Sequence, residues 1–470
     1  MGLFDSLKFW DKTPNPSKKK SVTTSYTPLR FNNLGVLGGS FEVSQTAIDT
    51  AYRNSITIFT ALDWKATKVS ECPITVLKIN NKSKAYDYFQ YSRENSMRGR
   101  LKAIKYKSGV SEIEDYNDPL KAFLDNPHPT LSLKELTYIY VVSKNITGSS
   151  VEVVLKVEDI LNGKKKVQRL APLPSNFVTL KGGNLFNAPD SYLFTQGDSL
   201  QKEFLPSEVL HVRNAFNMDY NSNNLYTGQS QLQAGRNMIE IASLGESARG
   251  QQFKNGGASG ILYEKISPED YEVPDTGDID EFQDRIDKKI LGVDKLNKIV
   301  YLPREMGFQK IGDSVVDLAI LENEKITNRS LCAMLGIDPV VIGINTESGM
   351  GNGGNMKEGL IKSYNDGVLP ELYGREDVLN KIVCPLFGDN YRVQYDVLSY
   401  APIAEQRLQF VKEVESLGLL TKNEMRLDLG YDTLINPMCD EIWDSTSKQP
   451  LSEFAINSMA GKNILNDGSY

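Results

Sequence analysis

Histidine and cysteine are scarce in this sequence, which has two histidines and four cysteines among 470 residues. His128 and His211 stand in no recognisable hydrolase arrangement with a serine, a cysteine or an acidic motif, and we interpret both as structural. The cysteines are too widely separated for a zinc site or a disulfide framework, so we expect reduced thiols in an intracellular setting. They are Cys72, Cys332, Cys384 and Cys439. No metal site, cofactor site or catalytic site is therefore expected at these histidines and cysteines.

Long apolar runs and an excess of positive charge are also absent. No stretch reaches the roughly 18 to 20 apolar residues that span a bilayer, and no signal-peptide pattern opens the chain, so we expect no membrane contact. The motif G-x-x-x-x-G-K-[ST] does not occur, which excludes a phosphate-binding loop of the motor kind. The formal net charge is −7. That charge disfavours tight phosphate binding and leaves looser contact with DNA open.

The most distinctive segment that is present is residues 343–356, with five glycines in fourteen residues. Residues 349–354 spell G-x-G-x-x-G, and the apolar run 340–342 before them is compatible with the strand of a dinucleotide-binding turn. Such a site also needs an acidic ribose partner about 20 residues further on, for which Glu371 and Asp377 are available within a predicted helix. The alternative is a mobile loop, because Gly, Asn and Ser accept positive φ and pack little.

The N-terminal half combines helices with short strands. Residues 46–71 have apolar residues at helical spacing and precede a strand at residues 74–77. Ser132 and Glu135 form a capping box for a helix over 134–142. Alternating runs joined by glycine and proline turns then predict a small antiparallel sheet. Its strands are expected near residues 151–157, 166–170, 177–180 and 205–213.

Residues 78–107 form a basic segment with nine Lys or Arg residues and only two acidic residues, Asp87 and Glu94. We expect a solvent-exposed hairpin, because runs of charge usually form exposed faces. The alternative is contact with nucleic acid, through the positive charge and through stacking on the interleaved tyrosines.

Two long helices are predicted to bracket a small module. The first helix, residues 230–254, is rich in small residues that suit close packing against other helices. The second helix is expected over residues 313–335. Between them, residues 257–312 contain strand and helix patterns, and residues 264–289 carry ten acidic and four basic residues. We interpret this as an acidic exposed face rather than a calcium site, because the D-x-D-x-D-G order is missing.

A further helix is predicted over residues 356–387. It contains Pro370, which removes a backbone hydrogen bond and predicts a kink between residues 366 and 374. A strand at residues 391–397 follows, and then a helical hairpin that contains a capping box at residues 421–424.

The order of these parts resembles the portal proteins of tailed bacteriophages over residues 45–435. The likeness is carried by the order and spacing of MGLFD at 1–5, LKAFLDNPHP at 120–129, LPSNFV at 173–178, LPSEVLHVRN at 205–214, FKNGGASGIL at 253–262, and LENEKIT at 321–327 leading into LGIDP at 335–339. The resemblance implies an α+β fold and a ring, normally of twelve copies, through which double-stranded DNA enters and leaves the capsid. It implies no enzymatic activity. The basic segment 78–107 departs from the usual family pattern.

The resemblance also implies a division of the chain into the parts of a portal subunit. They are a flexible arm (1–43), a wing (44–229 with 356–400), a first stem helix (230–256), a clip (257–312), a second stem helix (313–339), a tunnel loop (340–356), a kinked wing helix (357–387), a helical crown (401–435) and a variable tail (436–470). The expected partners are further copies of the chain, the major capsid protein, the terminase large subunit and a head–tail connector. The expected location is the capsid vertex of a virion assembled in the host cytoplasm.

Two sets of candidate site residues follow from the resemblance. The residues expected along the DNA channel are Asn345, Thr346, Ser348, Gly349, Met350, Gly351, Asn352, Gly353, Gly354, Asn355 and Lys357. The residues expected to dock partners on the clip are Glu269, Asp270, Asp278, Asp280, Glu281, Asp284 and Asp287. Lys357, the first cation after the loop, is expected to make at most transient phosphate contacts. A nucleotide-binding enzyme and a monomeric interaction scaffold are the competing interpretations.

Overall fold

The computed structural model describes residues 26–28, 52, 55–94, 96–158, 165–183, 187–196, 200–216, 226–242, 246, 250, 260–264, 306–310, 320–344, 352–443, 450 and 452. Over these residues the chain has the predicted α+β fold, and its strands pair antiparallel. Of the segment predicted as a flexible arm, Tyr26–Pro28 forms a strand at the edge of a sheet, so this part of the arm is not free.

The N-terminal half alternates helices and strands. Its elements in chain order are β1 (Tyr26–Pro28), α1 (Ile56–Glu71), β2 (Ile74–Ile79), α2 (Lys82–Ser92), α3 (Met97–Tyr106), β3 (Val110–Glu112), α4 (Pro119–Asp125), α5 (Leu133–Thr147), β4 (Ser149–Glu158), β5 (Lys165–Leu173), β6 (Val178–Lys181), β7 (Ser191–Gln196), β8 (Leu200–Phe204), β9 (Val209–Arg213), β10 (Ala215–Phe216) and β11 (Gly228–Gln229). The capping box of Ser132 and Glu135 opens α5 as predicted, with both reciprocal bonds formed.

The C-terminal half is mainly helical. Its elements are α6 (Gln231–Ala234), β12 (Gly260–Glu264), β13 (Met306–Lys310), α7 (Ile320–Met334), α8 (Asn352–Ser363), α9 (Leu369–Val378), β14 (Tyr391–Tyr395), α10 (Ala401–Ser416) and α11 (Lys422–Asp428). The predicted capping box at residues 421–424 opens α11. The predicted strand near residue 391 is β14, which pairs with β2 in the N-terminal half.

Most strands belong to three sheets of three or four strands each. The strand orders are β14-β2-β3, β5-β4-β9 and β1-β6-β7-β8, and β10–β11 and β12–β13 form separate pairs. The main core lies between helices and contains Leu62 of α1, Tyr140 of α5, Leu331 of α7 and Leu372 of α9. Because these side chains come from all parts of the chain, the core joins the N-terminal sheets to the helices that flank the glycine-rich loop.

The segment before the glycine-rich loop is not a strand. Pro339–Ile342 forms a turn of 3₁₀ helix, because Pro339 fixes a helical φ and the Asp338 side chain accepts a hydrogen bond from Val340 N. Residue Gly343 then has φ 81°, which favours glycine and ends the turn. The strand proposed for residues 340–342 was therefore wrong, and with it the strand–loop–helix unit of a dinucleotide site.

The loop is also shorter than predicted. Helix α8 begins at Asn352, so residues 352–356 belong to a helix and not to a loop that reaches Met356. The predicted interruption of the following helix lies at Tyr364–Val368, a π-helical turn just before Pro370. A second π turn, Leu379–Val383, and the 3₁₀ turn Cys384–Leu386 end the segment.

The basic segment is a pair of helices, α2 and α3, rather than a freely solvated hairpin. Arg100 is buried with its guanidinium 4.7 Å from the Phe410 ring of α10. Ile104 joins a small core with Val414 and Leu420. Since several cations of this segment are used inside the fold, the expectation of an exposed charged face is corrected in part; Lys82, Lys84, Arg98 and Lys105 are exposed.

The first long helix begins where predicted, with Ser230 as its N-cap. A turn at Gly235 interrupts it after α6, and residues 236–242 are helical again. Strands β12 and β13 pair in the module predicted between the long helices. The helix pattern expected in the same module lies outside the described residues.

Candidate functional site

The predicted site residues fall into two groups. Helix α8 contains Asn352, Gly353, Gly354 and Asn355 in its first turn and Lys357 soon after. The other channel candidates, Asn345, Thr346, Ser348, Gly349, Met350 and Gly351, lie outside the described residues. All the acidic docking candidates, Glu269, Asp270, Asp278, Asp280, Glu281, Asp284 and Asp287, also lie outside them. What the structure does describe is how both ends of the loop are attached.

The N-terminal end of the loop is attached by backbone contact between two glycines. Gly336 has φ 74°, and a Cβ placed there would lie 2.9 Å from the carbonyl oxygen of Asp366. A Cβ on Gly367 would lie 2.7 Å from the carbonyl oxygen of Gly336. The turn after α7 therefore crosses the π turn at a distance that only glycine permits at either position.

A hydrogen bond extends this attachment. The backbone N–H of Asp338 donates to Oγ of Ser363, which is fully buried, at 2.8 Å. The same hydroxyl donates to the carbonyl oxygen of Gly359 at 2.8 Å. Asp338 in turn caps the 3₁₀ turn at residues 339–342. The chain that enters the loop is thus fixed to the last turn of α8.

Near the C-terminal end of the loop, an exposed ion pair joins the start of α8 to α10. Lys357 Nζ lies 2.6 Å from Glu405 Oε2 of α10, and the two side chains are 54% and 55% exposed. Exposed ion pairs contribute only about 0–1 kcal/mol. Lys357 is therefore partly neutralised within the subunit, while its partner restrains it only weakly.

Beyond the π turn, α9 is held by buried charges that the sequence analysis did not assign to any structural role. Glu371 is 3% exposed and pairs with Lys65 at 3.0 Å and with Lys144 at 2.6 Å. The Asn145 amide donates a further hydrogen bond to Glu371. Burial by itself raises the pKa of Glu371, but the two lysines outweigh it and lower the pKa to about 2. One helix, α9, is thereby tied to both α1 and α5.

Arg375, one turn further along α9, is also buried. Its guanidinium forms a two-point contact with the Glu152 carboxylate of β4, at 2.7 Å and 3.3 Å. It also lies 4.9 Å from the centre of the Tyr140 ring. Burial disfavours the charged guanidinium, but Glu152 outweighs it and raises the pKa of Arg375. This pair fixes α9 to the central strand of the β5-β4-β9 sheet.

A third contact joins α9 to the basic segment. Arg93 lies 2.7 Å from Glu376 and 2.7 Å from Asp377. Burial raises the pKa of Glu376, and Arg93 opposes that rise. Glu371 and Asp377, the two candidates for a ribose partner, are both engaged in ion pairs within the fold. Together with the 3₁₀ turn before the loop, this contradicts the interpretation as a nucleotide-binding enzyme.

Both histidines have structural surroundings, as predicted. Nδ1 of His128 accepts hydrogen bonds from the backbone N–H groups of Thr130 and Leu131 and closes a turn. His211 is buried on β9, where it shares a hydrogen bond with the Tyr192 hydroxyl, and burial lowers its pKa to about 3. All four cysteines are free and buried. Among the described residues, no group of His, Cys, Asp and Glu side chains is placed to hold a metal ion.

None of the helices in the described ranges combines the length and the apolar character of a bilayer span. A model of the phage portal protein family matches residues 95–430. The chain therefore belongs to the phage portal protein family, whose members are structural proteins rather than enzymes.

Two relatives match most of the chain. An uncharacterized protein of Rickettsia felis (strain ATCC VR-1525 / URRWXCal2) is 22% identical over 438 residues, which are 91% of this chain and 97% of that protein. An uncharacterized protein of Rickettsia bellii (strain RML369-C) is 24% identical over 339 residues, 70% of this chain and 81% of that protein.

Solved structures of gene transfer agent (GTA) particles share the fold. A chain in the neck of an empty GTA particle, computed with C6 symmetry, has a TM-score of 0.56 and 15% identity, covering 83% of this chain and 94% of that chain. A chain in the neck of a native GTA particle, computed with C12 symmetry, has a TM-score of 0.55 and 16% identity, covering 83% and 93%.

Proposed function

We propose that the chain is the portal subunit of a phage or gene transfer particle and that a ring of its copies, twelve by analogy with the C12 GTA neck, occupies one capsid vertex. The observation that carries the proposal is the match of the portal family model to residues 95–430, which begins within the basic segment and ends just after α11. The ring would serve as the conduit for double-stranded DNA during packaging and ejection.

The partners follow from that position. The ring would contact the major capsid protein at the vertex, the terminase large subunit during packaging and a head–tail connector afterwards. We assign the docking of terminase and connector to the acidic stretch between Glu269 and Asp287, because a dense acidic face attracts basic partner surfaces. The particle would be assembled in the host cytoplasm.

In the proposed channel, the position of the loop rather than its charge would limit the width available to DNA. A tunnel that held many phosphates through fixed cations would bind DNA tightly, whereas a chain with a net charge of −7 favours sliding. Two features support the assignment of the loop, residues 343–351, and of the start of α8 to the DNA channel. The loop enters from a turn fixed by the Gly336–Gly367 contact, and its first following cation, Lys357, already has Glu405 as a partner.

Imaging of the purified full-length protein tests the proposal. Negative-stain micrographs and mass photometry should show closed rings with a mass of several subunits of 52.5 kDa. A protein that stays monomeric at all concentrations and salt conditions would support the interaction scaffold instead.

Charge reversal tests the docking surface. Changing Asp280 and Glu281 to Lys should weaken binding of terminase and of connector while rings still form. Unchanged binding of both partners to such rings would remove the acidic stretch as the docking site.

A further inference from the structure

An apolar groove lies between α5 and the β4–β5 strand pair. Its volume is about 360 Å³, within the range of pockets that bind ligands. Ile139 and Val142 of α5 line one side, and Val151 of β4 lines the other together with Leu173 and Pro174 at the end of β5. Ile139 is 36% exposed. The described residues therefore leave an apolar groove open to solvent.

The groove is suited to apolar side chains rather than to an added strand. Pro172 and Pro174 have no backbone N–H that could donate to a further strand. Val151 already pairs with a residue on each side, in β5 and in β9. The hydroxyl of Ser143, which also lines the groove, donates to the carbonyl oxygen of Ser149. The matching ligand is therefore a short stretch of chain with aliphatic side chains.

One side of the groove lies where the chain continues after β1. Strand β1 runs antiparallel to β6, with Pro28 opposite Thr179. Beyond this pair, β1 points toward the turn at residues 175–177, which directly follows Pro174 of the groove. The chain that leaves Pro28 is therefore directed toward that side of the groove.

The other side of the groove lies where the described chain resumes. Tyr52 is the next described residue, and its hydroxyl is hydrogen-bonded with that of Tyr138. Tyr138 lines the groove beside Ile139. Residues 29–51 thus begin near one side of the groove and end near the other. At about 3.3 Å per residue they reach up to about 75 Å, which is enough to enter the groove and return to Tyr52.

We propose that the groove binds residues 34–37 of the same chain, whose sequence is Leu-Gly-Val-Leu. This stretch has three aliphatic side chains within four residues and no charge. Gly38 and Gly39 follow it and permit the chain to turn back toward Tyr52. The contact would fasten the N-terminal arm to α5 and to the β4–β5 pair.

The attachment of this segment at both ends favours it over other occupants. A segment that is tethered beside its binding site has a high effective concentration there, in the millimolar range for short flexible tethers. A second copy of the chain or a different protein lacks this advantage. The inference goes beyond the proposed function and does not depend on ring formation.

Thiol labelling of full-length variants tests the contact. Because the native cysteines are free and buried, an introduced thiol is selectively reactive. Leu37→Cys should react with a maleimide at least tenfold more slowly than Leu408→Cys, which replaces an exposed leucine of α10. Ile139→Asp should bring the two rates together, because a carboxylate in the groove disfavours apolar side chains. Equal rates without Ile139→Asp, or a slow rate that Ile139→Asp leaves unchanged, would overturn the proposal.

A matched substitution outside the groove is the control. Ile326→Asp replaces an exposed isoleucine of α7 and should leave the labelling of Leu37→Cys slow. Thermal unfolding checks that each variant is folded, and Ile139→Ser, a milder change, should raise the labelling rate in the same direction as Ile139→Asp. A similar rise with Ile326→Asp would show that the groove does not determine the protection and would overturn the proposal.

Disulfide trapping distinguishes the same chain from a second copy. Leu37→Cys and Ile139→Cys in one chain should form an intrachain disulfide on mild oxidation, detected by mass spectrometry of the linked peptides. A mixture of the two single variants should form no linked dimers, and linked dimers there would overturn the proposal in favour of a second copy. Dissociated subunits and rings should give the same result, so a failure to form rings would refute the proposed function and leave this contact standing.

Discussion

The two halves of the helical segment from residue 352 to residue 386 are held in opposite ways. In the C-terminal half, Glu371, Arg375 and Glu376 are buried and each forms an ion pair with another element. In the first turns of the N-terminal half, before the buried Ser363, the corresponding link is the exposed Lys357–Glu405 pair. Breaking a buried pair costs several kcal/mol, about 3–5, whereas an exposed pair contributes about 0–1 kcal/mol. The end next to the loop is therefore the end that the fold restrains least.

The boundary between the two halves is the π turn Tyr364–Val368. Gly367 in this turn contacts Gly336, so the turn also fixes the chain that enters the loop. We expect a displacement at the start of α8 to be absorbed in its first turns, because Ser363 in its last turn binds the chain that enters the loop and α9 stays attached to the sheets. Under the proposed function, the first turns of α8 would lie next to the DNA channel and α9 would lie in the wing.

The largest effect is expected at Glu371. Replacing it with Leu leaves the ammonium groups of Lys65 and Lys144 buried without their carboxylate, which should lower the free energy of unfolding by about 3–5 kcal/mol. Urea denaturation of the dissociated subunit measures the change. Glu358→Leu, in the exposed part of α8, is the matched control and should change stability by less than about 0.5 kcal/mol. Equal effects of the two substitutions would erase the contrast between the halves.

The dependence of stability on pH gives a second test of the Glu371 ion pairs. The pKa of this carboxyl is lowered from an ordinary value of 4.5 to about 2 in the folded state. The pKa of Glu371 is lower in the folded state than in the unfolded state, so its ionised carboxylate stabilises the fold fully above pH 4.5. This stabilisation, about 3 kcal/mol in total, is lost as the pH falls toward 2. The difference in unfolding free energy between the wild type and Glu371→Gln should shrink over this range. A difference that stays constant down to pH 2 would contradict the assignment.

Alanine substitutions at two glycines of the chain that enters the loop distinguish the cost of steric crowding from the cost of backbone strain. Gly336→Ala places a Cβ 2.9 Å from a carbonyl oxygen at φ 74°, and should cost about 2–4 kcal/mol. Gly343→Ala has a similar φ of 81° but nothing within 4 Å of its Cβ, so it should cost only about 1 kcal/mol. Thermal unfolding of both variants measures the difference. Similar losses would show that the crossing at Gly367 adds nothing beyond backbone strain.

Local signals predicted much of the fold. The capping boxes at residues 132–135 and 421–424 and the strand that begins at residue 391 were recognised, because each depends on residues a few positions apart. The run at residues 340–342 was misread because its β-branched residues favour a strand, while Pro339 and the Asp338 cap impose a 3₁₀ turn.

The ion pairs of α9 could not be read from the sequence. Glu371 and Arg375 are ordinary residues of a charged helix until α1, α5 and β4 bring their partners to them. The available signal was weak: Lys65 and Lys144 each follow buried apolar residues one turn earlier on the same helix, where a lysine needs a buried partner. The same limit applied to Arg93, whose partners lie in a distant part of the chain.

The smallest effect is expected at Lys357. Lys357→Glu places a carboxylate beside Glu405, yet both positions are more than half exposed, so stability should change by only about 0.5 kcal/mol. If loop position rather than charge limits the channel, the variant should still assemble rings and package DNA. The double variant Lys357→Glu with Glu405→Lys restores the pair with reversed sign and is the control for the contact between α8 and α10. Loss of packaging in both variants, with normal rings, would show that Lys357 acts on DNA. The start of α8 would then contribute to the channel through its charge.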